Sequence, residues 1–193
     1  MLHTIILIGR SGCGKGTQVE LLKQYFAKID DTPVFQVESG ARFREFINGH
    51  GYSNRLSHAI YKESTLQPLF LSIWMWADLL VEKMNGNEHL ILDGIPRRPD
   101  EVIALESALA FYNRSMPLVV HIDISREEAI RRLQARGRSD DRDASEVDRR
   151  MDWYESDVEP TITRFASSPH VHFIHVNGEQ SASKIHEDII ASL

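Results

Sequence analysis

Short aliphatic runs alternate along the chain with longer segments whose apolar residues recur every three or four positions. The runs, at 4–8, 33–37, 89–92, 118–124 and 171–176, read as strands, and the longer segments as amphipathic helices. Val19, Leu22, Phe26 and Ile29 mark a helix over 15–29. Residues 68–84 form a strongly apolar helix. Its Trp74 and Trp76 are expected in the core, since large aromatic side chains mostly supply buried area. Pro99 opens a helix that runs to about 112. Ser125 reads as an N-cap, with Glu127 and Glu128 in the first turn behind it. A long helix is predicted over 145–166 and a last one from 181. Residues 45–66 are polar and broken by Gly49 and Gly51, which reads as short helices outside the sheet.

The first strand is aliphatic without interruption, as a central parallel strand covered on both faces requires. Strands alternating with helices predict an α/β fold, a doubly wound parallel five-stranded sheet with helices on both faces. Ligands bind such sheets at the C-terminal strand ends. Three glycine-bearing turns fall there: the run from Gly9 to Gly16, Asp93-Gly94, and Asn177-Gly178.

Composition narrows the setting. A length of 193 residues suits a single domain spanning 1–193. No apolar run approaches the roughly 20 residues needed to span a bilayer, and no basic segment precedes the first strand, so neither membrane nor export signal is expected. The single cysteine rules out an internal disulfide, in keeping with a cytoplasmic protein. A net charge of −6 argues against nucleic acid as partner. We expect a monomer acting on small molecules.

The candidate chemistry begins at Ile5-Ile-Leu-Ile-Gly-Arg-Ser-Gly-Cys-Gly-Lys-Gly-Thr17. A strand running into glycines, a lysine and a helix start makes a phosphate cradle: curled backbone N–H groups, a helix dipole and one full positive charge. Gly9, Gly14 and Lys15 fit the phosphate-loop pattern, with Gly16 inserted before the hydroxyl of Thr17. Cys13 is read either as a small residue at a permissive position or as a thiol made reactive by Lys15 and the helix dipole. His170, His172 and His175 invite a metal reading, with His170 and His172 on one side of a strand, but no acid or cysteine cluster supports it.

Five ordered segments resemble the adenylate kinase family of nucleoside monophosphate kinases. Gly9 to Gln18 resembles GxPGxGKGTQ, and Ser39-Gly-Ala-Arg-Phe-Arg44 resembles [TS]GDxLR. Leu92-Asp-Gly-Ile-Pro-Arg97 resembles LDGFPR, and Val176-Asn-Gly178 resembles VDG. Arg138-Ser-Asp-Asp141 followed by Arg149-Arg-Met-Asp-Trp-Tyr154 resembles RxDD…RLxxY. The match covers nearly the whole chain. It implies a P-loop NTPase-type fold with a small monophosphate-binding flap over 38–68 and a short lid over 137–146. It also implies reversible transfer of the γ-phosphoryl group of ATP to a nucleoside monophosphate, foremost AMP, with Mg²⁺.

The resemblance assigns roles residue by residue. Gly12, Cys13, Gly14, Lys15, Gly16 and Thr17 would hold the ATP phosphates, with Arg132 and Arg136 on the triphosphate side. Thr17 and Asp93 would place the metal, mostly through water. Ser39, Arg44, Leu66, Gln67, Gly94, Arg97 and Glu101 would form the monophosphate site. Lys15, Arg97, Arg132, Arg138 and Arg150 would carry catalysis, Arg138 and Arg150 also reaching the monophosphate. Counting from Arg138 points instead to Arg149 as the second lid arginine, whereas Met151 and Tyr154 favour Arg150. Arg126, Arg131 and Arg142 read as solvated ion-pair partners.

Three departures stand out. Ser11 replaces the loop proline, and Ala41 replaces an aspartate that would support the site. Glu101 replaces the glutamine that reads adenine. An ionised glutamate only accepts hydrogen bonds. It suits the amino groups of adenine or cytosine and the two donors of guanine, but it cannot donate to a ring nitrogen. The alternatives are therefore a kinase for CMP, UMP, GMP or a deoxynucleotide, or a homologue that senses nucleotides without turnover.

Overall fold

The strand β1 (Thr4–Ile8) is buried along its whole length, and its side chains alternate between two cores. Ile5 and Leu7 enter one core with Val19, Leu22 and Phe26 of α1 (Lys15–Ile29). Ile6 and Ile8 enter the other with Trp76 and Leu80 of α4 (Leu69–Lys83) and Val102 and Leu105 of α5 (Pro99–Phe111). Two helical layers therefore clamp one sheet, and each buried aliphatic side chain contributes about 1.5–3 kcal/mol. The computed structural model describes residues 1–138, 141 and 143–193.

Five parallel strands form the sheet in the order β2-β3-β1-β4-β5. The other four are β2 (Val34–Glu38), β3 (His89–Asp93), β4 (Leu118–Asp123) and β5 (His172–Asn177). Helices α2 (Ser39–Phe46) and α3 (Tyr52–Lys62) form an excursion between β2 and α4. Helices α6 (Arg126–Arg136) and α7 (Ala144–Trp153) follow β4, and α8 (Glu159–Ala166) and α9 (Ala182–Ile190) flank β5. Ser125 caps α6 by accepting from the Glu128 amide, as its position before the acidic turn suggests. Among the described residues, no helix is long and apolar enough to cross a membrane.

Three expectations need correction. The long helix over 145–166 is interrupted: a π turn at Tyr154–Val158 separates α7 from α8. Pro160, in the first turn of α8, has no N–H to donate to the carbonyl four residues back, and its ring would clash there. A wider turn relieves that clash. The tryptophan pair is split. Trp76 is buried, but Trp74 is 43% exposed and packs edge-on against Phe46. Residues two apart on a helix cannot share one face. His170 lies in the turn before β5 and so shares no strand face with His172, while His175 pairs with Asp123 at 3.1 Å.

Candidate active site

One cleft of about 980 Å³ opens at the C-terminal ends of β1, β2 and β3. Its floor is the loop after β1. Gly9 has φ +154°, and a Cβ there would sit 2.3 Å from the Ile122 carbonyl oxygen, so only glycine allows the loop to pass this close to β4. Gly14, in the left-handed region, precedes α1, and no side chain caps the first amides of that helix. Those amides are suited to an anion. The Lys15 ammonium lies over the loop, donating to the carbonyls of Gly9 (2.8 Å) and Arg10 (3.0 Å). Gly12, Gly16 and Thr17 line the same cleft. Cys13 is fully buried under the loop, which removes the reactive-thiol reading, because a thiolate needs access to its electrophile. It lines a smaller adjoining cavity of about 320 Å³ with Arg132 and Gln180.

The end of β3 forms one wall. Gly94 has a positive φ and its amide donates to the Leu7 carbonyl, tying this turn to the phosphate loop. Burial pushes the Asp93 carboxyl up and Glu38 adds to this, against the charges of Lys15, Arg97 and Arg138. Asp93 and Thr17 share the cleft and offer hard oxygen donors, and a partly buried carboxylate of raised proton affinity gains from a cation beside it. The pair fits Mg²⁺. Arg97 donates through Nε to the Gly94 carbonyl at 3.2 Å and lies 5.3 Å from the centre of the Trp153 ring.

Arginines from α6, α7 and the segment between them form the opposite wall. Arg132 is anchored by Glu128 and by the Gly178 carbonyl at 2.9 Å. Arg136 makes a two-pronged contact to the carboxylate of Asp141, whose side chain is fully buried, and Arg150 donates to the same carboxylate at 2.9 Å. Burial alone would raise the Asp141 carboxyl, but the two guanidinium groups hold it below its ordinary value. Arg138 also lines the cleft. Arg150 faces the cleft whereas Arg149 is exposed outside it, so the residues fitting Met151 and Tyr154 mark the inward-facing arginine. Ser139, Asp140 and Arg142 of the expected lid lie outside the described residues. Of the solvated set, Arg126 pairs with Asp148 and Asp152, and Arg131 with Glu128.

The far end of the cleft is built differently. Arg44 projects from α2 and pairs with Glu38 at 3.1 Å. Leu66 and Gln67 line the wall, the Gln67 amide being locked to Ser57. Ser39 is buried behind this wall at the start of α2 and does not line the cleft; its neighbours Glu38 and Gly40 do. Glu101 does line it. It is 1% exposed, accepts from the Ser72 hydroxyl at 3.3 Å, and its carboxyl is raised by burial against the pull of Arg97.

Several cleft-supporting residues escaped the sequence reading. Arg98 donates to the Gln67 carbonyl (2.8 Å) and to Asp157 of the π turn (3.1 Å), joining the wall of Leu66 and Gln67 to the C-terminal helices. Arg10 stacks over Tyr154 and pairs with Glu155 and Glu159, so the phosphate loop leans on the same π turn. Tyr154 meets His121 at 3.1 Å, and burial lowers that imidazole to about 4, Asp123 opposing. Trp153 and Asp141 lay within the matched lid segment, which was the available signal for both. Arg98 offered none beyond adjacency to Arg97.

The family model for adenylate kinase matches residues 7–169. The adenylate kinase of Mycolicibacterium smegmatis is 32% identical over 159 residues, covering 82% of this chain and 83% of that protein. The adenylate kinase of Desulfovibrio desulfuricans is 27% identical over 228 residues, covering 98% and 99%. That of Prochlorococcus marinus is 29% identical over 189 residues, covering 98% and 97%. Matched from the phosphate loop to just beyond α8, the chain belongs to the adenylate kinase family and is a phosphotransferase.

Proposed function

We propose that the protein catalyses ATP + AMP ⇌ 2 ADP with Mg²⁺, in the cytoplasm and as a monomer. The carrying observation is that Lys15, Arg97, Arg132, Arg138 and Arg150, from separate parts of the chain, line one cleft. Phosphoryl transfer demands little covalent work from a protein. It demands alignment and positive charge around three moving oxygens. ATP lies with its phosphates on the loop amides from Gly12 to Thr17 and its triphosphate against Arg132 and Arg136. Lys15 leaves the Gly9 and Arg10 carbonyls to bridge the β- and γ-phosphates and follow the transferring group. Arg97 and Arg44 grip the phosphate of the monophosphate through guanidinium forks. Arg138 and Arg150 clamp the group in transit from the lid side. The metal would be held by Asp93 and Thr17, largely through water, and supplies charge neutralisation at the phosphate oxygens.

The segment 38–68 acts as the flap over the monophosphate and 137–146 as a short lid that excludes water. Gly94, Leu66 and Gln67 contact the monophosphate, Ser39 supports them from behind, and Glu101 faces the base. Glu101 also carries the second reading, in which another base is the acceptor. Purified protein is mixed with Mg-ATP and, separately, AMP, CMP, UMP, GMP and dTMP, and diphosphates are separated by chromatography. Fastest turnover with AMP is expected. Faster turnover with another base overturns the AMP assignment, and ATP binding without any turnover favours a nucleotide sensor.

A further inference from the structure

Glu101 is a buried acid of the cleft. It lies in the first turn of α5. Its Oε1 accepts from Ser72 of α4, while Oε2 is buried with no hydrogen-bond partner among the described residues. The charges acting on it are Arg97 and Arg98, both in the loop before α5, where the Arg97 backbone amide also favours the charged form; from α4 the Ser72 hydroxyl donates to it. A buried carboxylate oxygen without a partner is costly. The same oxygen carrying a proton becomes a donor, on a residue that lines the cleft.

The two protonation states complement different bases. An ionised carboxylate presents two acceptors. A carboxylic acid presents one donor beside one acceptor, the pattern of a glutamine amide. The pairing edge of adenine has an amino donor beside a ring-nitrogen acceptor. That of guanine has two adjacent donors. Adenine therefore pairs fully with the acid, and guanine with the carboxylate.

We propose that Glu101 reads the adenine of AMP as a carboxylic acid, donating from Oε2 to the ring nitrogen and accepting the amino group on Oε1. Wherever Glu101 is ionised in the free enzyme, AMP binding then takes up one proton from solvent: carboxylate, AMP and H⁺ give the neutral acid bound to AMP. The inference rests on the AMP assignment above and deepens it. Burial of Glu101, which already favours its neutral form, acts in the required direction.

The test is the KM for AMP at saturating Mg-ATP across pH 6 to 8.5, for wild type and Glu101→Gln. The ionisation of AMP's own phosphate is common to both proteins, so the ratio of the two KM values isolates Glu101. The ratio is expected to be level at acid pH and to rise toward about tenfold per pH unit once Glu101 ionises in the free enzyme. Calorimetry of AMP binding to wild type, at a pH where that ratio is already rising, in two buffers of different ionisation enthalpy, should show net proton uptake. The phosphate can only release protons on meeting arginines, so uptake has the opposite sign and does not depend on the variant folding. A pH-independent ratio with no proton uptake, in an enzyme that turns over AMP, overturns this inference alone. Preference for GMP over AMP throughout overturns it together with the AMP assignment, because the ionised acid would then be reading two donors.

Discussion

The two ends of the cleft follow opposite rules. At the phosphate end four cations have exchangeable partners: Lys15 rests on loop carbonyls, Arg44 on Glu38, and Arg136 and Arg150 share Asp141. At the base end one carboxyl is buried, accepting from the Ser72 hydroxyl through one oxygen while its second oxygen has no hydrogen-bond partner among the described residues. Charge acts over several ångströms and tolerates rearrangement, so the phosphate end can hand cations from internal partners to a substrate. A hydrogen-bonding edge in a water-poor pocket acts only at contact, and one wrong proton cancels it.

The largest expected effect breaks the phosphate end. Lys15→Met removes a charge that acts chiefly in the transition state, and kcat should fall by about 10³-fold. A variant within tenfold of wild type would take Lys15 out of that role. Arg150→Ala should lower kcat by about 10²-fold, while Arg149→Ala, exposed outside the cleft, should stay within about twofold. Equal losses from both would remove the distinction between the inward and outward arginine. Arg44→Ala should raise the KM for the monophosphate about tenfold and leave kcat within a few-fold, the signature of lost ground-state binding. An unchanged KM would misplace the acceptor site.

The smallest effect concerns stability at the base end. Burial raises the Glu101 carboxyl, so its favourable neutral state is fully present below the unfolded value and is lost as pH rises through the folded one. Glu101→Gln carries no charge to bury. Its melting temperature should exceed wild type by a few degrees at about pH 8, and the difference should vanish in acid. A difference independent of pH would mean that packing, not ionisation, separates the two proteins.

Phosphate recognition was legible because it follows from local chain geometry. A glycine run between a buried strand and a helix admits few conformations, and the lysine beside it has one use. Strand-end placement of Asp93 followed from the same alternation of apolar runs. Trp74 and the π turn were not legible. The face a residue takes on an apolar helix depends on what packs there, and a proline's effect depends on whether the preceding turn can widen. The same holds for the ion pairs of Asp141, which acquire their geometry only when α6 and α7 converge.

The sequence by itself determined the order of strands and helices, the phosphate loop, and the set of cations available to a phosphate, because each depends on residues close together in the chain. Only the tertiary structure decided that Arg150 rather than Arg149 faces the cleft, that Cys13 is buried beneath the loop, and that Glu101 is buried with one oxygen unpaired. Those three depend on burial. Burial is set by segments remote in sequence, and it decides whether a charge, a thiol or a proton is available to chemistry.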